Sequence, residues 1–417
     1  MKVTRIAEKI NLNKVMDISV DVHKDALNFF FASNGKEYTD ICSNRTDVIQ
    51  RRIIKYKNIA KEHGISNLRI ICEPTGQYQN SLLRTARRNS CLTCYVNAES
   101  VKKFRVVETN DTGKTDIKDP RVISTLAGLN KVIRHRMIGE DYLMLRKLGK
   151  IYDETDVEIV RLKGRLNKLM VELFCDYSFK KDFLYSNSGL ALIKKYGCNP
   201  YRFEKTMRHA APRIQGNTLK RLFEDAQSSV LNELPPGYIE VLQIRFYQLF
   251  GDYLNQQKRK EEIVENMIEI LDHLREKDLN IPPPTPGVIS AKNIARLFGE
   301  TGPISDFSSY RKLLRYFGLN IRMRQSGKYQ GQNKITKKGR PLGRKVLDNI
   351  VLPLVKKGCL YGDYYHIKKE KEKRPGNKAM TIIMRNFLKK FYGWYKSGKA
   401  FDEKRFFDSE SQYLKAA

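Results

Sequence analysis

Lys14-Val-Met-Asp-Ile-Ser-Val20, Ala26-Leu-Asn-Phe-Phe-Phe-Ala32 and Glu37-Tyr-Thr-Asp-Ile-Cys42 are three short runs rich in β-branched and aromatic residues. Turn-type residues separate them, among them Asn34-Gly35, the preferred dipeptide of a two-residue hairpin. Working outward, a helical pattern covers Val48 to Glu62, a buried strand Leu68 to Cys72, and a second helix Gln77 to Arg88. A strand at Cys91 to Val96 and a helix beginning near Glu99 complete the alternation.

Three strands in a meander, followed by alternating helix and strand, is the order of an α/β RNase H-like (RuvC-like) domain. Other folds share such runs, so the order suggests the fold without deciding it. Four carboxylates stand out within it. Asp21 ends the first strand in Asp21-Val-His-Lys-Asp25, and Glu73 ends a buried strand in Cys72-Glu-Pro-Thr-Gly76. Asp116 and Asp119 lie three apart in Lys114-Thr-Asp-Ile-Lys-Asp119, on one side of a helical turn, with Asp119 as cap and Pro120 at the first helical position. Open sheets place ligand sites at strand ends. Clustered carboxylates repel unless cations neutralise them, and two Mg²⁺ roughly 4 Å apart would do so while clamping a phosphodiester. Asp17 and Asp25 are neighbours that compete with Asp21 for that role.

Beyond the first unit the text changes. Leu143, Leu145, Leu148, Ile151, Val157, Ile159, Leu162, Leu166, Leu169 and Leu173 recur at helical spacing between Glu140 and Tyr177, as do Leu242, Phe246, Leu249, Leu254, Ile263, Met267 and Leu271 between Tyr238 and Leu274. These are long amphipathic helices that pair with each other or, as a coiled coil, with another copy of the chain. Ile281-Pro-Pro-Pro-Thr-Pro286 reads as a stiff linker. The domains expected are therefore 1–138, α/β; 139–280, helical; 281–400, mainly α; and a polar, loosely held tail, 401–417. The aromatic residues from Tyr361 to Tyr395 fall at helical spacing, which favours core over stacking on bases.

Charge points to the partner. Lys and Arg number 78 against 46 Asp and Glu, a net +32. From Ile321 to Ala417 there are 25 basic and 8 acidic residues, so over half the excess sits in less than a quarter of the chain. Such a surface repels itself unless a polyanion binds, and a nucleic-acid backbone is the polyanion to expect. No stretch approaches the roughly 20 apolar residues of a membrane-spanning helix. Seven cysteines and no export signal in Met1 to Asn13 suggest reduced thiols in a cytoplasm, near the nucleoid. Cys91 and Cys94 form a C-x-x-C in a strand, where positions three apart face opposite ways, so packing is favoured over a metal site.

The three carboxylate segments resemble those of insertion-sequence transposases that carry a DEDD RuvC-like domain and move with a bridge RNA. Pro286-Gly-Val-Ile-Ser-Ala291 is similar to the start of that family's helix-hairpin-helix, with Ile289 standing where a second glycine is usual. Phe307-Ser-Ser-Tyr-Arg-Lys-Leu-Leu-Arg-Tyr-Phe-Gly-Leu319, Arg324-Gln-Ser-Gly327, Lys334-Ile-Thr-Lys-Lys-Gly339 and Gly376-Asn-Lys-Ala379 resemble its C-terminal transposase core. The resemblance implies that Asp21, Glu73, Asp116 and Asp119 bind Mg²⁺ and that Ser326 is the nucleophile. It also implies double-stranded donor and target DNA, a guide RNA, and a homo-oligomer, dimer or tetramer, in which domains of different protomers combine. Arg322, Arg324 and Lys328 flank the serine, and Lys334, Lys337, Lys338, Arg340 and Arg344 would hold nucleic-acid backbone. Two alternatives stay open: a hydrolytic RuvC-like nuclease with water as nucleophile, and a catalytically idle nucleic-acid-binding relative.

Overall fold

The computed structural model describes residues 15–33, 35–109, 118–178, 182–200, 202, 216–322, 325–326, 329–331, 333–359, 361–403 and 406. The chain divides into two compact units, 1–137 and 138–417.

The first unit is a six-stranded mixed sheet flanked by helices. Strand β1 (Val15–Val22) pairs antiparallel with β2 (Ala26–Ser33), and β2 pairs with β3 (Lys36–Ser43). On its other edge β1 runs parallel to β4 (Asn67–Cys72), and β4 to β5 (Leu92–Val96), with β6 (Val132–Arg134) closing antiparallel. The order is β3-β2-β1-β4-β5-β6. This is the RNase H-like arrangement expected from the sequence, with strand ends that differ from the expected runs by one or two residues.

Strand alternation sorts residues onto two faces. Met16, Ile18, Val20 and Val22 of β1 join Ile70 and Cys72 of β4 in a core with α1 (Thr46–Glu62) and α2 (Gln79–Arg88). Ile71 of β4 and Cys94 and Val96 of β5 face the other way, into a core with α3 (Ala98–Thr109) and α4 (Lys118–Gly128). Asp17, Ser19 and Asp21 alternate with the apolar set of β1, so they lie on this second face. Cys91 and Cys94 divide between the two cores, and burial raises both thiols above the ordinary range. The strand reading of that C-x-x-C therefore holds.

The second unit is mostly helical. Helices α5 (Glu140–Leu173) and α8 (Pro236–Lys277) pair antiparallel within the chain, tied by Asp141 to Lys277 at 2.9 Å near one end and by Asp156 to Lys260 further along. Between them in sequence, α6 (Asn187–Tyr196) and α7 (Gly216–Val230) close a core around Leu166, Phe174, Leu192, Leu222 and Phe246. The opposite ends of α5 and α8 belong to a larger core with α9 (Ala291–Thr301), α10 (Tyr310–Tyr316), α11 (Pro341–Val351), α12 (Gly362–His366) and α13 (Gly376–Ser397).

Three expectations change here. Residues 281–400 do not close a core of their own, because Tyr142 and Leu145 of α5 and Met267 and Leu271 of α8 complete it. The proline-rich segment is anchored at its head, where Ile281 is buried at 2% exposure, while Pro283, Pro284 and Pro286 are exposed. The start of the tail is also docked: Phe406 is buried against Trp394 and Phe387. The aromatic run is core as expected, with Tyr361, Phe387, Phe391 and Tyr395 all buried.

Candidate active site

The carboxylates are positioned by register. Along the parallel pair β1–β4, Asp17 stands beside Arg69, Ser19 beside Ile71, and Val20 beside Cys72. One step further brings Asp21 abreast of Glu73, on the face covered by α4. At the start of this row Asp17 accepts two hydrogen bonds from Arg69, at 2.7 and 2.6 Å. Asp17 therefore has a structural partner, and Asp25 lies exposed in the turn after β1.

Asp21 is 7% exposed, and its Oδ2 lies 3.0 Å from Nε2 of His23. Glu73 is half-buried at the head of a shaped loop. Gln79 holds that loop: its Oε1 accepts from the Thr75 amide at 3.1 Å and hydroxyl at 3.0 Å, while its Nε2 donates to the Gly76 carbonyl at 3.0 Å. Gly76 turns with φ +73°, which favours glycine. Asp119 lies in the first turn of α4, which packs across β1, β2, β4 and β5. The helix starts at Lys118, so Asp119 sits inside it rather than capping it, and Pro120 stays in the first turn, where no amide partner is lost. Asp119 is 3% exposed and accepts from Arg105 Nε at 2.8 Å. No sequence signal pointed to Arg105, fourteen residues upstream on α3. Asp116 lies outside the described residues.

Among the described residues no three His, Cys, Asp or Glu side chains gather closely enough to hold a metal ion. The donors that are placed fit one nonetheless. Buried Asp21 and half-buried Glu73 stand at the carboxyl ends of neighbouring parallel strands, and their hard oxygens suit a hard divalent cation.

The serine segment belongs to the second unit. Strands β7 (Ile321–Arg322) and β10 (Lys334–Ile335) pair antiparallel, as do β8 (Gln325–Ser326) and β9 (Tyr329–Gln330). Ser326 stands opposite Tyr329 and is exposed. Arg322 stands directly opposite Lys334, both exposed. Like charges at such a cross-strand position repel. An anion drawn between them relieves that repulsion.

A crossing of backbones supports this segment. Gly318 has φ +67°, and a side chain there would meet the Lys337 carbonyl carbon at 2.8 Å. The Lys337 amide donates to the Gly318 carbonyl at 2.9 Å, and Thr336 Oγ1 donates to Asn320 Oδ1 at 2.7 Å. Lys337 is held at φ +54°, and both Lys337 and Lys338 are exposed.

Two of the expected backbone-binding cations have internal duties. Arg340 donates to both oxygens of buried Glu300, at 2.7 and 3.1 Å. Arg344 donates to the carbonyls of Phe317 and Lys337, at 3.0 and 3.3 Å. Arg324 and Lys328 lie outside the described residues. In the helix-hairpin-helix-like start, the amides of Thr285, Val288 and Ile289 all bond within the turn, and Ile289 is buried in the core. That hairpin therefore braces α9 and leaves those three amides engaged.

A family model of DEDD type for IS110, described as Transposase, matches residues 18–175. A second, the Transposase IS116/IS110/IS902 family, matches residues 285–366. The chain belongs to the IS110 family of transposases. The first match contains Asp21, Glu73, Asp116 and Asp119, and the second contains Ser326 with all eight expected cations. No curated protein matches the chain. Membership makes the protein a DNA transposase or recombinase, and its DEDD domain points to dependence on a divalent metal. Among the described residues no helix is long and apolar enough to cross a membrane.

Proposed function

We propose that this transposase cuts and rejoins DNA by transesterification through Ser326, with Mg²⁺ held by Asp21, Glu73, Asp116 and Asp119. The observation that carries the reading is the pairing of two chemistries in one chain. One unit carries Asp21 and Glu73 at the carboxyl ends of neighbouring parallel strands, and the other exposes Ser326 on a hairpin in the segment that holds the Arg322–Lys334 pair. Mg²⁺, when bound, supplies Lewis-acid stabilisation of charge on phosphate oxygens.

The bonds balance without a nucleotide cofactor. Ser326 Oγ bonds to the phosphorus, the P–O bond to one DNA strand breaks, and the serine proton ends on the released DNA hydroxyl. A DNA hydroxyl then attacks the phosphoserine, re-forming a phosphodiester and returning the proton to Ser326. Each step exchanges one phosphate ester for another, so no net hydrolysis occurs. Arg322 and Lys334 stabilise the doubly charged equatorial oxygens as they develop, and Lys337 and Lys338 hold flanking backbone.

The reading extends to a bridge RNA that selects donor and target DNA, to action at the nucleoid, and to a homo-oligomer, dimer or tetramer. Exposed Val241, Ile244 and Tyr247 on α8 support self-association, because the pairing with α5 leaves that apolar stripe uncovered. The test is product analysis. The chain, expressed with its native flanking DNA, is given donor and target duplexes with Mg²⁺. Joined strands with no accumulation of free ends support transesterification. Free ends alone assign the chain to hydrolysis, and nicking that persists without divalent metal removes the carboxylates from the mechanism.

A further inference from the structure

The cations of this molecule differ in whether an acid accompanies them. Around Tyr152, Arg296 and Lys345 both reach Asp153, at 3.2 and 2.8 Å, and Lys260 pairs with Asp156. Around Tyr310 the pattern is different. Arg311 lies 5.9 Å and Lys389 5.6 Å from the Tyr310 ring centroid. Arg385, one turn before Lys389 on α13, is half-buried, and its Nε is buried without a hydrogen-bond partner. Among the described residues no carboxylate pairs with Arg311, Arg385 or Lys389.

A half-buried guanidinium with no anion is costly, because desolvation is not offset by any partner. Burial accordingly pulls Arg385 below its ordinary pKa. Arg311, Lys389 and Arg385 together hold the Tyr310 phenol below its usual value. The Tyr310 shift expresses a local excess of positive charge, and α10 and α13, packed against each other, bring its sources together. The same face of α13 continues through Tyr392 to Lys396, whose ammonium lies 5.8 Å from the Tyr392 ring. From Arg385 to Lys396 this is about 16 Å of helix, the axial length of roughly five nucleotides at ~3.4 Å each.

We propose that Tyr310, Arg311, Arg385 and Lys389 form a phosphate-binding site that grips a nucleic-acid backbone, continued along α13 to Lys396. It is a contact surface additional to the Ser326 segment, and Arg385, Lys389 and Lys396 lie beyond the stretch matched by the second family model. The inference rests on the chain's handling nucleic acid, and deepens that reading by naming where a backbone is held. The phosphodiester can come from duplex DNA or from guide RNA.

The test is binding of the full chain to labelled duplex DNA and, separately, to structured RNA, each over a range of salt. Wild type is compared with Arg311→Gln/Arg385→Gln/Lys389→Gln, with Lys389→Gln alone, which alters only an exposed side chain, and with Tyr310→Phe. A control, Lys150→Gln/Lys220→Gln/Lys258→Gln, removes the same charge from exposed lysines on the long helices and α7. The triple variant is expected to weaken binding of at least one nucleic acid and to lower the log–log salt slope by about 2–3 for a duplex, or ~2 for a single strand. Lys389→Gln alone should lower it by about 1. The nucleic acid that responds identifies the source, and a response from both assigns a shared site. Equal shifts in the triple variant and the control would overturn the proposal, as would unchanged slopes. Failure of wild type to bind either nucleic acid would instead defeat the underlying reading.

Discussion

The two units of this transposase solve the same problem, holding charge in place, in opposite ways. In the sheet unit, charge is placed by register: Asp17, Ser19 and Asp21 form one row, β4 answers with Arg69 and Ile71, and Glu73 follows directly after the strand. The first pair is an ion pair, and the row ends on acids at the carboxyl ends of both strands. In the helical unit, position along the chain does not say whether a cation faces solvent. Arg340 and Arg344 sit in the same basic run as Lys337 and Lys338, yet the arginines serve the fold and the lysines face outward. The difference teaches that a strand's period of two converts sequence into side, whereas helix and turn cations declare their role only through their partners.

The sharpest contrast lies within the row itself. Asp21→Ala should abolish strand exchange to background while leaving the fold intact, since it removes a repelling acid. It should also erase any rise in melting temperature that wild type shows on adding Mg²⁺. Thermal melts with and without Mg²⁺, beside an exchange assay, check both; a variant that still exchanges strands breaks the account of the row.

Within the helical unit, Glu300→Gln should cost about 1.5–3 kcal/mol of stability, because it takes the charged hydrogen bonds from half-buried Arg340. Denaturant unfolding measures this, and a loss near zero would return Arg340 to the backbone-binding set. Asp17→Ala should cost about 1–3 kcal/mol through its lost charged hydrogen bonds with Arg69 and leave exchange chemistry in place. Loss of exchange in a folded Asp17→Ala would make the row one continuous site.

Smaller effects test the surface. Gly318→Ala should cost upwards of ~1 kcal/mol, since φ +67° and the close Lys337 backbone both oppose a side chain. Arg322→Gln and Lys334→Gln should each leave stability within about 0.5 kcal/mol and lower the salt slope of DNA binding by roughly 1. A loss of stability in either would mean that the two cations are braced by the protein rather than awaiting an anion.

How much was legible follows the same division. The sheet, its order of elements and the Asp21 and Glu73 positions were readable, because alternation and strand ends are local features. His23 beside Asp21 sat within a quoted motif, but its contact depends on how the chain leaves β1. Arg105 was invisible, because only the packing of α3 against α4 brings it to Asp119. The long helices were readable from their period, but the shared core that merges them with 281–400 was not, since it rests on contacts between residues over a hundred positions apart. The Tyr310 cluster was missed for the same reason: α10 and α13 are separated by sixty residues of chain.

The most direct test of the central claim is covalent capture. The chain, expressed with its native flanking DNA, is denatured during reaction and examined for attached DNA, with Ser326→Ala and Asp21→Ala alongside. DNA joined through Ser326 by a phosphoester, and absent from both variants, is the predicted result. Strand cleavage with no adduct, unchanged in Ser326→Ala, would contradict it and make water the nucleophile.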